Sequence, residues 1–600
     1  MQYPMPQSPQ APSAFWNAVK STVRLQHQAQ PIPCAPRNGK LPLSFAQERL
    51  WFVEQAHPGS AVHNLRAVFH LKGTLNVAIL QRTLQEIGCR HEILRTAFPA
   101  VNGQPIQTIS PEVAFALPVI DLRDLPAPQR ETEIRRLATE EAQQPFDLSQ
   151  SPLLRFKLLR LSEDEHVLLR TTHHLINDRW SDSVFMRELA TLYNAFALGK
   201  TSPLPDLPIQ YADFAHFQRQ WLQGEILETQ LAYWRNLLSG NLPTIALPCD
   251  APPPIVQSYQ GAARYLMIPK LLSDALKTLS QQQEVSLFVI MFAAFNLLLY
   301  QYSGQEDLIV CSPVSGRHRV ETKKLIGYFS NLVLFRTSLE GNPRFREVLE
   351  RVSSVAVAVF EHQDMPLQYL AEALHIPGSV LSQVMFALQN VPRRPLEFAG
   401  IQVTPLDIEE GIANFDLSLS IKEQGEQLIG VCRYKTDLFT DTTITQFMTH
   451  FQELLESLVL DPQQRLTDLP RFTNTLQKRL MATAETMYVA PQPGIEQTIA
   501  TVWQEILQLE PIGVHANFFA LGGRSLQMVR IGQKLQTILN RDISIKDLFR
   551  RPTISGMAQY LSQTRAEKPL PVPPAAARTN RQKDAMFRQK QLMQQRRKRT

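Results

Sequence analysis

The chain has 600 residues, of which 44% are apolar and 19% charged, so it is long enough for two to four folded units with substantial cores. Its formal net charge is +6, but residues 578–600 contain nine Lys or Arg and one Asp, so residues 1–577 sum to about −2. The basic charge is therefore concentrated in a tail. This distribution disfavours nucleic acid as a partner, because no basic face is indicated.

Cysteine usage and the apolar runs exclude further classes of protein. The five cysteines are far apart, odd in number and without a CxxC pair, which indicates reduced thiols and neither a zinc site nor a disulfide framework. Residues 1–16 lack the basic region and long apolar core of a secretory signal. The longest apolar run, Leu287–Leu299, is too short for a bilayer. We therefore expect a cytoplasmic protein with no metal and no membrane segment.

In chain order, the sequence begins with a Pro- and Gln-rich segment, residues 1–39, which predicts a flexible leader. Helix and strand patterns then mix over residues 40–220, beginning with a helix that Ser44 caps and Gln47 supports three residues later. The mixture repeats over residues 221–475, with a Pro-rich crossing near its start. These patterns predict two α+β lobes.

The remaining sequence predicts a short linker, residues 476–493, and then a small helical unit, residues 494–565. A Pro-Ala spacer and the basic tail follow over residues 566–600. The tail mixes Met, Phe and Leu with Lys and Arg, which is compatible with an amphipathic docking helix, although we favour a solvated extension. The helical unit has four helical patterns: Ile495–Leu507, Ser525–Leu539, a short turn at Ile543–Phe549, and Thr553–Leu561.

The segment Thr171–Ser181, TTHHLINDRWS, places two adjacent histidines ahead of an aspartate. An apolar run, residues 166–172, predicts a buried strand that delivers His173 and His174 at its carboxyl end. A neutral imidazole near pH 7 can accept a proton from a nucleophile. Because side chains alternate along a strand, only one histidine can face a given cleft. Taken alone, such a pair is more often a core histidine beside a surface one, or two metal ligands, than a catalytic base.

A second chemical signal lies in the helical unit, at Asn517–Met528, NFFALGGRSLQM. Gly522 and Gly523 allow a tight loop, and Ser525 then falls at the start of the next helix. The free N–H groups at a helix start favour a phosphate attached to that serine. The alternative interpretation is that Ser525 simply caps its helix.

These segments resemble a known family. Residues 41–475 are similar to a condensation domain of nonribosomal peptide synthetases, and residues 494–565 are similar to the peptidyl carrier, or thiolation, domain of the same enzymes. Seven condensation-like motifs occur in the family's order: LSFAQERLW (Leu43–Trp51), RHEILRTAF (Arg90–Phe98), HHLIND (His173–Asp178), YADFAHFQ (Tyr211–Gln218), IGYFSNLVLFR (Ile326–Arg336), HQDMPLQYL (His362–Leu370) and QVMFALQN (Gln383–Asn390).

The resemblance implies an α+β condensation domain, built from two chloramphenicol-acetyltransferase-like lobes in a V, followed by an all-α four-helix carrier bundle. It implies that His174 lies in a tunnel between the lobes, entered from opposite faces by two phosphopantetheine arms. The implied reaction transfers a donor acyl thioester to the amine, or hydroxyl, of an acceptor in secondary metabolite biosynthesis. The implied cofactor is 4′-phosphopantetheine, attached covalently to Ser525.

The family's residue roles carry over to the matching positions. The resemblance implies that His174 acts as general base or positions the nucleophile, with His173 as its packed partner at the strand end. It also implies that Asp178 is structural, in an ion pair for which Arg317 is the candidate partner. Asn331 is expected to line the tunnel from the second lobe.

Two positions depart from the family pattern, since Arg179 and Ser183 stand where glycine is usual. Glycine is favoured where a ligand passes close to the backbone. Arg179 could therefore narrow the donor channel, turn outward to a carboxylate such as Asp182 or Glu188, or recognise an acidic or phosphate group on a substrate. The sequence leaves all three interpretations open.

The predicted partners follow from what the sequence lacks. The linker has no room for an adenylation domain, no ATP-phosphate loop is seen elsewhere, and no thioesterase motif follows the carrier. We therefore expect a stand-alone adenylation enzyme and a phosphopantetheinyl transferase to act on Ser525. An upstream carrier protein or synthetase subunit would supply the donor, and a downstream subunit would meet the basic tail if that tail docks.

Two other functions stay open from the sequence. The chain could be a noncatalytic recruitment and carrier module, or an acyltransferase to a soluble amine. An epimerisation domain shares the histidine motif, but it would normally follow its carrier rather than precede it. The identity of donor and acceptor, the stereochemistry and the choice of amide or ester are not encoded in these motifs.

Overall fold

The computed structural model describes most of residues 31–563, and its contacts divide the chain into two compact units between residues 473 and 474. Residues 1–30 and 564–600, which include most of the predicted leader and the whole basic tail, lie outside the described residues. The described range also omits residues 57, 113, 253–258, 390–396, 399, 407–410, 471–488, 508–510, 515–517, 519–524, 540–542, 544–547, 549–550 and 552.

The first half of the large unit contains long helices and two long central strands among the described residues. Its helices are α1 (Phe45–Ala56), α2 (Val77–Arg90), α3 (Ala127–Gln143), α4 (Arg179–Ala197), α5 (Tyr211–Trp221) and α6 (Gly224–Leu237). Its strands are β1 (Asn64–Lys72), β2 (Thr96–Ala97), β3 (Ala100–Val101), β4 (Gln104–Pro105), β5 (Thr108–Ile109), β6 (Val119–Asp121), β7 (Leu154–Arg160) and β8 (Glu165–His173).

Local sequence signals explain the start of α1 and the course of β8. Ser44 Oγ accepts the Gln47 N–H at 3.1 Å, and Gln47 Oε1 accepts the Ser44 N–H at 3.1 Å, so the predicted capping box is confirmed. The predicted strand is confirmed as β8, which is buried from His166 to its end at His173. The strand therefore ends at His173, which is buried, and His174 is the next residue.

The second half of the large unit repeats the mixture of helices and strands. Its helices are α7 (Lys270–Gln282), α8 (Leu287–Ser303), α9 (Phe345–Glu361), α10 (Leu367–Leu374), α11 (Gly378–Ser382) and α12 (Asp441–Leu460). Its strands are β9 (Gly261–Ile268), β10 (Asp307–Val314), β11 (Asn331–Ser338), β12 (Val384–Gln389), β13 (Glu397–Phe398), β14 (Ile401–Pro405), β15 (Leu417–Gln424) and β16 (Gln427–Lys435).

Helix α8 forms the centre of the core of this half. Twelve of its residues are buried, including Phe292 and Phe295, whose rings pack against Phe386 of β12. The apolar run at Leu287–Leu299 is thus a core helix. Within the described residues no helix alone is long and apolar enough to span a membrane; α7 and α8 pass only as a pair, with a 108° bend between them.

The two six-stranded sheets do not follow the predicted lobe boundaries. One sheet has the order β13-β14-β1-β8-β7-β6 and the other the order β11-β10-β12-β15-β16-β9. Strands β13 and β14 come from within residues 221–475, yet β14 pairs antiparallel with β1 of the first half, as in Phe69 opposite Pro405. The physical reason is that β14 covers the edge of β1, whose backbone groups would otherwise lack partners. The halves are therefore joined by a shared sheet.

The end of the predicted flexible leader is packed against the first half. Ile32 is 4% exposed, and the Ala35 N–H donates to Asp213 Oδ1 at 2.8 Å. Arg37 bridges Asp213 and Glu92 with contacts of 2.6 and 2.8 Å. Residues 32–37 therefore belong to the fold. Their composition predicts flexibility, but Asp213 and Glu92, which are distant in the sequence, bind them.

The small unit consists of helices around an apolar centre. The described helices are α13 (Ile495–Leu507), α14 (Ser525–Leu539) and α15 (Ile554–Gln563). Trp503 and Phe518 are fully buried, with ring centroids 5.0 Å apart. The predicted bounds of the first two helices are confirmed, and α15 begins one residue later than predicted. Most of the predicted turn at 543–549 lies outside the described residues.

Candidate active site

The histidine pair lies where β8 ends in a short 3₁₀ turn, His174–Ile176. The His174 N–H donates to the His63 carbonyl at 2.8 Å. Gln47 Nε2 of α1 donates to the Leu175 carbonyl at 3.1 Å. The turn is therefore fixed from both sides, and the two histidine side chains enter different environments.

His174 is fixed in one tautomer. Its Nδ1 lies 2.8 Å from the Asn177 carbonyl oxygen, which can only accept, so the neutral ring carries its proton on Nδ1 and its lone pair on Nε2. Burial lowers the pKa of His174 below the usual range, although its hydrogen bond to the Asn177 carbonyl acts in the opposite direction. The residue as a whole is still partly exposed. Near pH 7 it is therefore a neutral imidazole whose Nε2 can accept a proton.

His173 has the opposite arrangement. Its Nδ1 accepts the Leu175 N–H at 3.1 Å, so its proton lies on Nε2, which is 3.5 Å from Glu54 Oε1. Glu54 also contacts His63 Nδ1 at 2.5 Å. Burial acts to raise the pKa of Glu54, but its contacts with His173 and His63 lower that pKa to about 2. His173 is 2% exposed, and both its ring nitrogens face protein groups, so it packs the strand end as the sequence predicts.

Asp178 is buried and saturated with hydrogen-bond donors. Its Oδ1 accepts the N–H and the O–H of Ser181, both at 2.8 Å, and Arg317 Nη2 at 3.1 Å. Its Oδ2 accepts the N–H groups of Phe329 and Ser330 at 3.0 and 3.2 Å. Asp178 is 2% exposed and Arg317 is 3% exposed. The predicted ion pair is therefore present, and these five donors are all groups of the protein itself; the structural role of Asp178 stays a prediction.

Arg317 connects Asp178 to the backbone of the second half. Its Nη1 donates to the carbonyl oxygens of Thr322 and Leu325 at 2.6 and 2.7 Å. Its guanidinium carbon lies 4.0 Å from the ring centroid of Phe329. Burial lowers the pKa of Arg317, and the neighbouring charge of Asp178 acts to raise it. The buried guanidinium of Arg317 is thus surrounded by a carboxylate, two backbone carbonyls and an aromatic ring instead of water.

The loop that carries Phe329 also brings Tyr328 to the site. The Tyr328 ring lies 4.4 Å from the His174 ring, centroid to centroid, at an angle of 49°. The Tyr328 carbonyl accepts the hydroxyl of Tyr211 at 2.5 Å. A Cβ on Gly327 would lie 2.0 Å from the Tyr211 ring, so only glycine permits this approach. His174 of the first half is therefore covered by a residue of the second half.

Tyr328 and Tyr211 are site residues that the sequence reasoning did not single out. Both lie within the quoted motifs, Tyr328 in IGYFSNLVLFR and Tyr211 as the first residue of YADFAHFQ. Their position in those motifs was the available signal. The contact of Tyr328 with His174 and the contact of Tyr211 with Tyr328 are both nonlocal, so residue spacing could not have revealed them.

Asn331, predicted as a tunnel-lining residue, has its amide bound by backbone groups. Its Nδ2 donates to the carbonyls of Gln363 and Met365 at 3.0 and 2.7 Å. Its Oδ1 accepts the Leu367 N–H at 3.3 Å. This amide therefore ties β11 to the segment that enters α10.

Arg179 is the first residue of α4 and is exposed, whereas Ser183 on the same helix is partly buried. The two carboxylates named as its candidate partners also have other contacts: Asp182 pairs with Arg170, and Glu188 contacts Arg90 and His91. The three predicted roles of Arg179 stay predictions.

Ser525 begins α14, a helix of 15 residues. Its backbone position fits a phosphate ester, because the first N–H groups of a helix have no intrahelical partner. Gly522 and Gly523 lie outside the described residues. Among the residues that the structure describes, no group of three or more His, Cys, Asp or Glu could hold a metal ion.

Two family models match this chain. Residues 37–481 match the condensation domain, and residues 497–561 match the phosphopantetheine attachment site. The chain therefore consists of a condensation domain followed by a phosphopantetheine carrier domain. The chain belongs to the condensation-domain family of nonribosomal peptide synthetases, whose members catalyse amide bond formation. The predicted cofactor, 4′-phosphopantetheine, is confirmed for the carrier domain.

Curated relatives support the same membership. One of the linear gramicidin synthase proteins of Brevibacillus parabrevis is 43% identical over 458 residues, covering 75% of this chain and 6% of that protein. Chondramide synthase cmdD of Chondromyces crocatus is 40% identical over 460 residues, covering 76% of this chain and 12% of that protein. The chain thus spans only about a tenth, or less, of the length of these relatives. These relatives are consistent with the predicted class of secondary metabolite biosynthesis.

Solved structures share the fold. The X-domain from teicoplanin biosynthesis has a TM-score of 0.67 and 27% identity, covering 74% of this chain and all of that one. The first condensation domain of the calcium-dependent antibiotic synthetase has a TM-score of 0.64 at 21% identity, covering 73% of this chain and all of that one. The second likeness concerns the fold alone. The predicted chloramphenicol-acetyltransferase-like fold with a helical carrier region is confirmed.

Replacing Arg317 by alanine tests the buried pair. We expect the Arg317→Ala variant to lose about 3–5 kcal/mol of unfolding free energy, because Asp178 is left as a buried charge without its counter-ion. Denaturant unfolding of the condensation unit measures the loss. Arg135→Ala is the control, since its pair with Glu131 on α3 is 57% and 70% exposed and should be worth about 1 kcal/mol or less. Equal losses in the two variants would contradict the assignment.

Proposed function

We propose that this chain catalyses amide bond formation between a donor acyl thioester, held on a partner carrier, and the amine of an acceptor held on its own carrier domain. The observation that carries the proposal is the 2.8 Å bond from His174 Nδ1 to the Asn177 carbonyl, which leaves the lone pair on Nε2. The lowered pKa of His174 supports it, because a neutral imidazole is the form that can accept a proton. A hydroxyl acceptor would give an ester by the same route.

In the proposed reaction the acceptor nitrogen attacks the donor carbonyl carbon, a C–N bond forms, and the C–S bond breaks. His174 Nε2 takes the proton that the nitrogen loses, and the same proton can then pass to the departing sulfur. The His174 Nδ1–H, held by the Asn177 carbonyl, keeps the ring oriented through both steps. Bound 4′-phosphopantetheine would supply the thiol on which the acceptor is carried as a thioester at Ser525.

Loading of the carrier in trans is part of the same proposal. Only residues 482–496 separate the two family matches, which is too short for an adenylation domain between them. We propose that an adenylation enzyme acting in trans supplies the acceptor after a phosphopantetheinyl transferase has modified Ser525. A carrier domain of this family implies a phosphopantetheinyl transferase and partner synthetase subunits. A cytoplasmic location is proposed with them.

A second candidate is a recruitment module, in which the condensation fold binds another protein and performs no chemistry. The observation in its favour is the likeness to the X-domain from teicoplanin biosynthesis, whose structure is a complex with OxyB, at a TM-score of 0.66 and 26% identity. Under this candidate the state of His174 would be without consequence for the carrier-bound product. A third candidate, acyl transfer to a soluble amine, would leave the carrier mass unchanged.

The proposal is tested by weighing the intact chain. The chain is converted with coenzyme A and a phosphopantetheinyl transferase, loaded with candidate aminoacyl groups, and mixed with acyl-carrier donors. We expect the condensed mass on Ser525, and a rate about 10²–10⁴-fold lower in His174→Ala, which lacks the proton acceptor. His70→Ala is the matched control, because His70 lies on β1 and contacts Glu165 at 2.7 Å at the other end of β8. Condensation undiminished in His174→Ala would refute the catalytic role.

The rate should also depend on pH through His174. Because burial lowers its pKa, the neutral form persists below the ordinary value of about 6.5, and the rate should fall only as the pH drops through that lower pKa. Single-turnover rates from pH 5 to 8 measure this limb. The residual rates of His174→Ala provide the reference, since dividing the native rate by the variant rate at each pH removes the titration of the acceptor amine. A limb at or above 6.5 would contradict the account.

A further inference from the structure

Asn177 connects the histidine turn to α4. Its carbonyl accepts His174 Nδ1–H at 2.8 Å, and its own N–H donates to the His174 carbonyl at 3.3 Å. Its side-chain Nδ2 donates to Asp182 Oδ1 at 2.7 Å. Asn177 is 3% exposed. Its backbone thus faces the proposed base, and its side chain is anchored one helical turn further along the chain.

Asp182 is in turn bound by a buried cation. Arg170 Nη2 contacts the same Oδ1 of Asp182, and the guanidinium carbon of Arg170 lies 4.8 Å from the ring centroid of Phe185. Arg170 is 2% exposed and lies on β8, four residues before His174. The Arg170–Asp182 ion pair therefore links the end of β8 to the first turn of α4. The Asp182 carboxylate of this pair also accepts the side-chain N–H of Asn177.

We propose that Arg170 and Asp182 are positioning residues for His174, acting through Asn177 to select the tautomer that leaves Nε2 unprotonated. The role rests on the proposed function of His174 as a base. Asp182 fixes the Asn177 side chain, the fixed residue aims its carbonyl at Nδ1, and the carbonyl holds the proton there. Arg170 keeps the Asp182 carboxylate in place. Neither Arg170 nor Asp182 touches the reacting atoms.

The direction of the Asn177 carbonyl is the sensitive quantity. Asn177 has extended backbone angles, φ −150° and ψ 149°, and the next residue, Asp178, is fixed by its own bonds to Ser181 and Phe329. The peptide unit therefore lies between two anchored side chains. The two tautomers of a neutral imidazole are both accessible, so the hydrogen bond at Nδ1 decides which one is present. Loss of the Asp182 anchor frees one end of the peptide unit and weakens that selection.

The test is the tautomer of His174, observed directly. The full chain is labelled with ¹⁵N-histidine, and the ring nitrogens of His174 are identified by comparison with the His174→Gln variant in long-range ¹H–¹⁵N spectra at pH 8. We expect Nδ1–H alone in the native chain. In Asp182→Ala and in Asn177→Ala we expect Nε2–H to appear as well, with kcat about tenfold lower and KM for the carrier within about twofold. Asp182→Asn, which keeps an oxygen for the Asn177 amide, should lie between.

The matched control is Glu133→Ala. Glu133 is a partly exposed carboxylate on α3, paired with Arg136 at 2.8 Å on the same helix. It belongs to neither the histidine turn nor α4, so its loss should leave the spectrum and the rates unchanged. Asn177→Ala keeps the test valid if Asp182→Ala fails to fold, because it leaves the Arg170 pair intact. A native tautomer in Asn177→Ala would overturn the proposal. The spectra do not depend on activity, so failure of the proposed function would appear separately, as condensation undiminished in His174→Ala.

Discussion

The site depends on one buried carboxylate that serves both halves of the condensation unit. Asp178 caps α4, pairs with Arg317 and accepts two backbone N–H groups from the loop at Phe329 and Ser330. A buried carboxylate is costly unless it is paired and hydrogen-bonded, so its donors cannot withdraw without a penalty. That constraint keeps Tyr328, which precedes those donors, against His174. The geometry around His174 thus depends on a buried charge that binds both halves of the unit.

The two adjacent histidines have different tautomers because their Nδ1 atoms have different hydrogen-bond partners. His174 donates from Nδ1 to a carbonyl, whereas His173 accepts a backbone N–H at Nδ1. One ring therefore presents a lone pair at Nε2, and the other presents an N–H to Glu54. The two rings are separated because β8 ends at His173 and the 3₁₀ turn begins at His174, and the hydrogen bonds of this turn assign the tautomers. In the carrier domain, Ser525, the predicted attachment residue, is the first residue of a helix.

Sequence reasoning succeeded where the determinants are local. The cap of α1 at Ser44, the strand that ends at His173 and the bounds of two carrier helices follow from capping residues and periodicity. The Arg317 contact followed from the family resemblance. Tyr328 against His174, β14 beside β1 and the packed segment 32–37 were not predicted, because each depends on residues far apart in the chain. Nothing in their local pattern specifies the partner.

The most direct test of the central claim is hydrogen exchange in Asp178→Ala. If Asp178 holds the loop of the second half, the amides of Phe329 and Ser330 should exchange at least about tenfold faster than in the native chain, because they lose their acceptor. The amides of β11, which pair with β10, serve as the internal reference and should keep their protection. Unchanged exchange at Phe329 and Ser330 would contradict the claim that this carboxylate joins the two halves around His174.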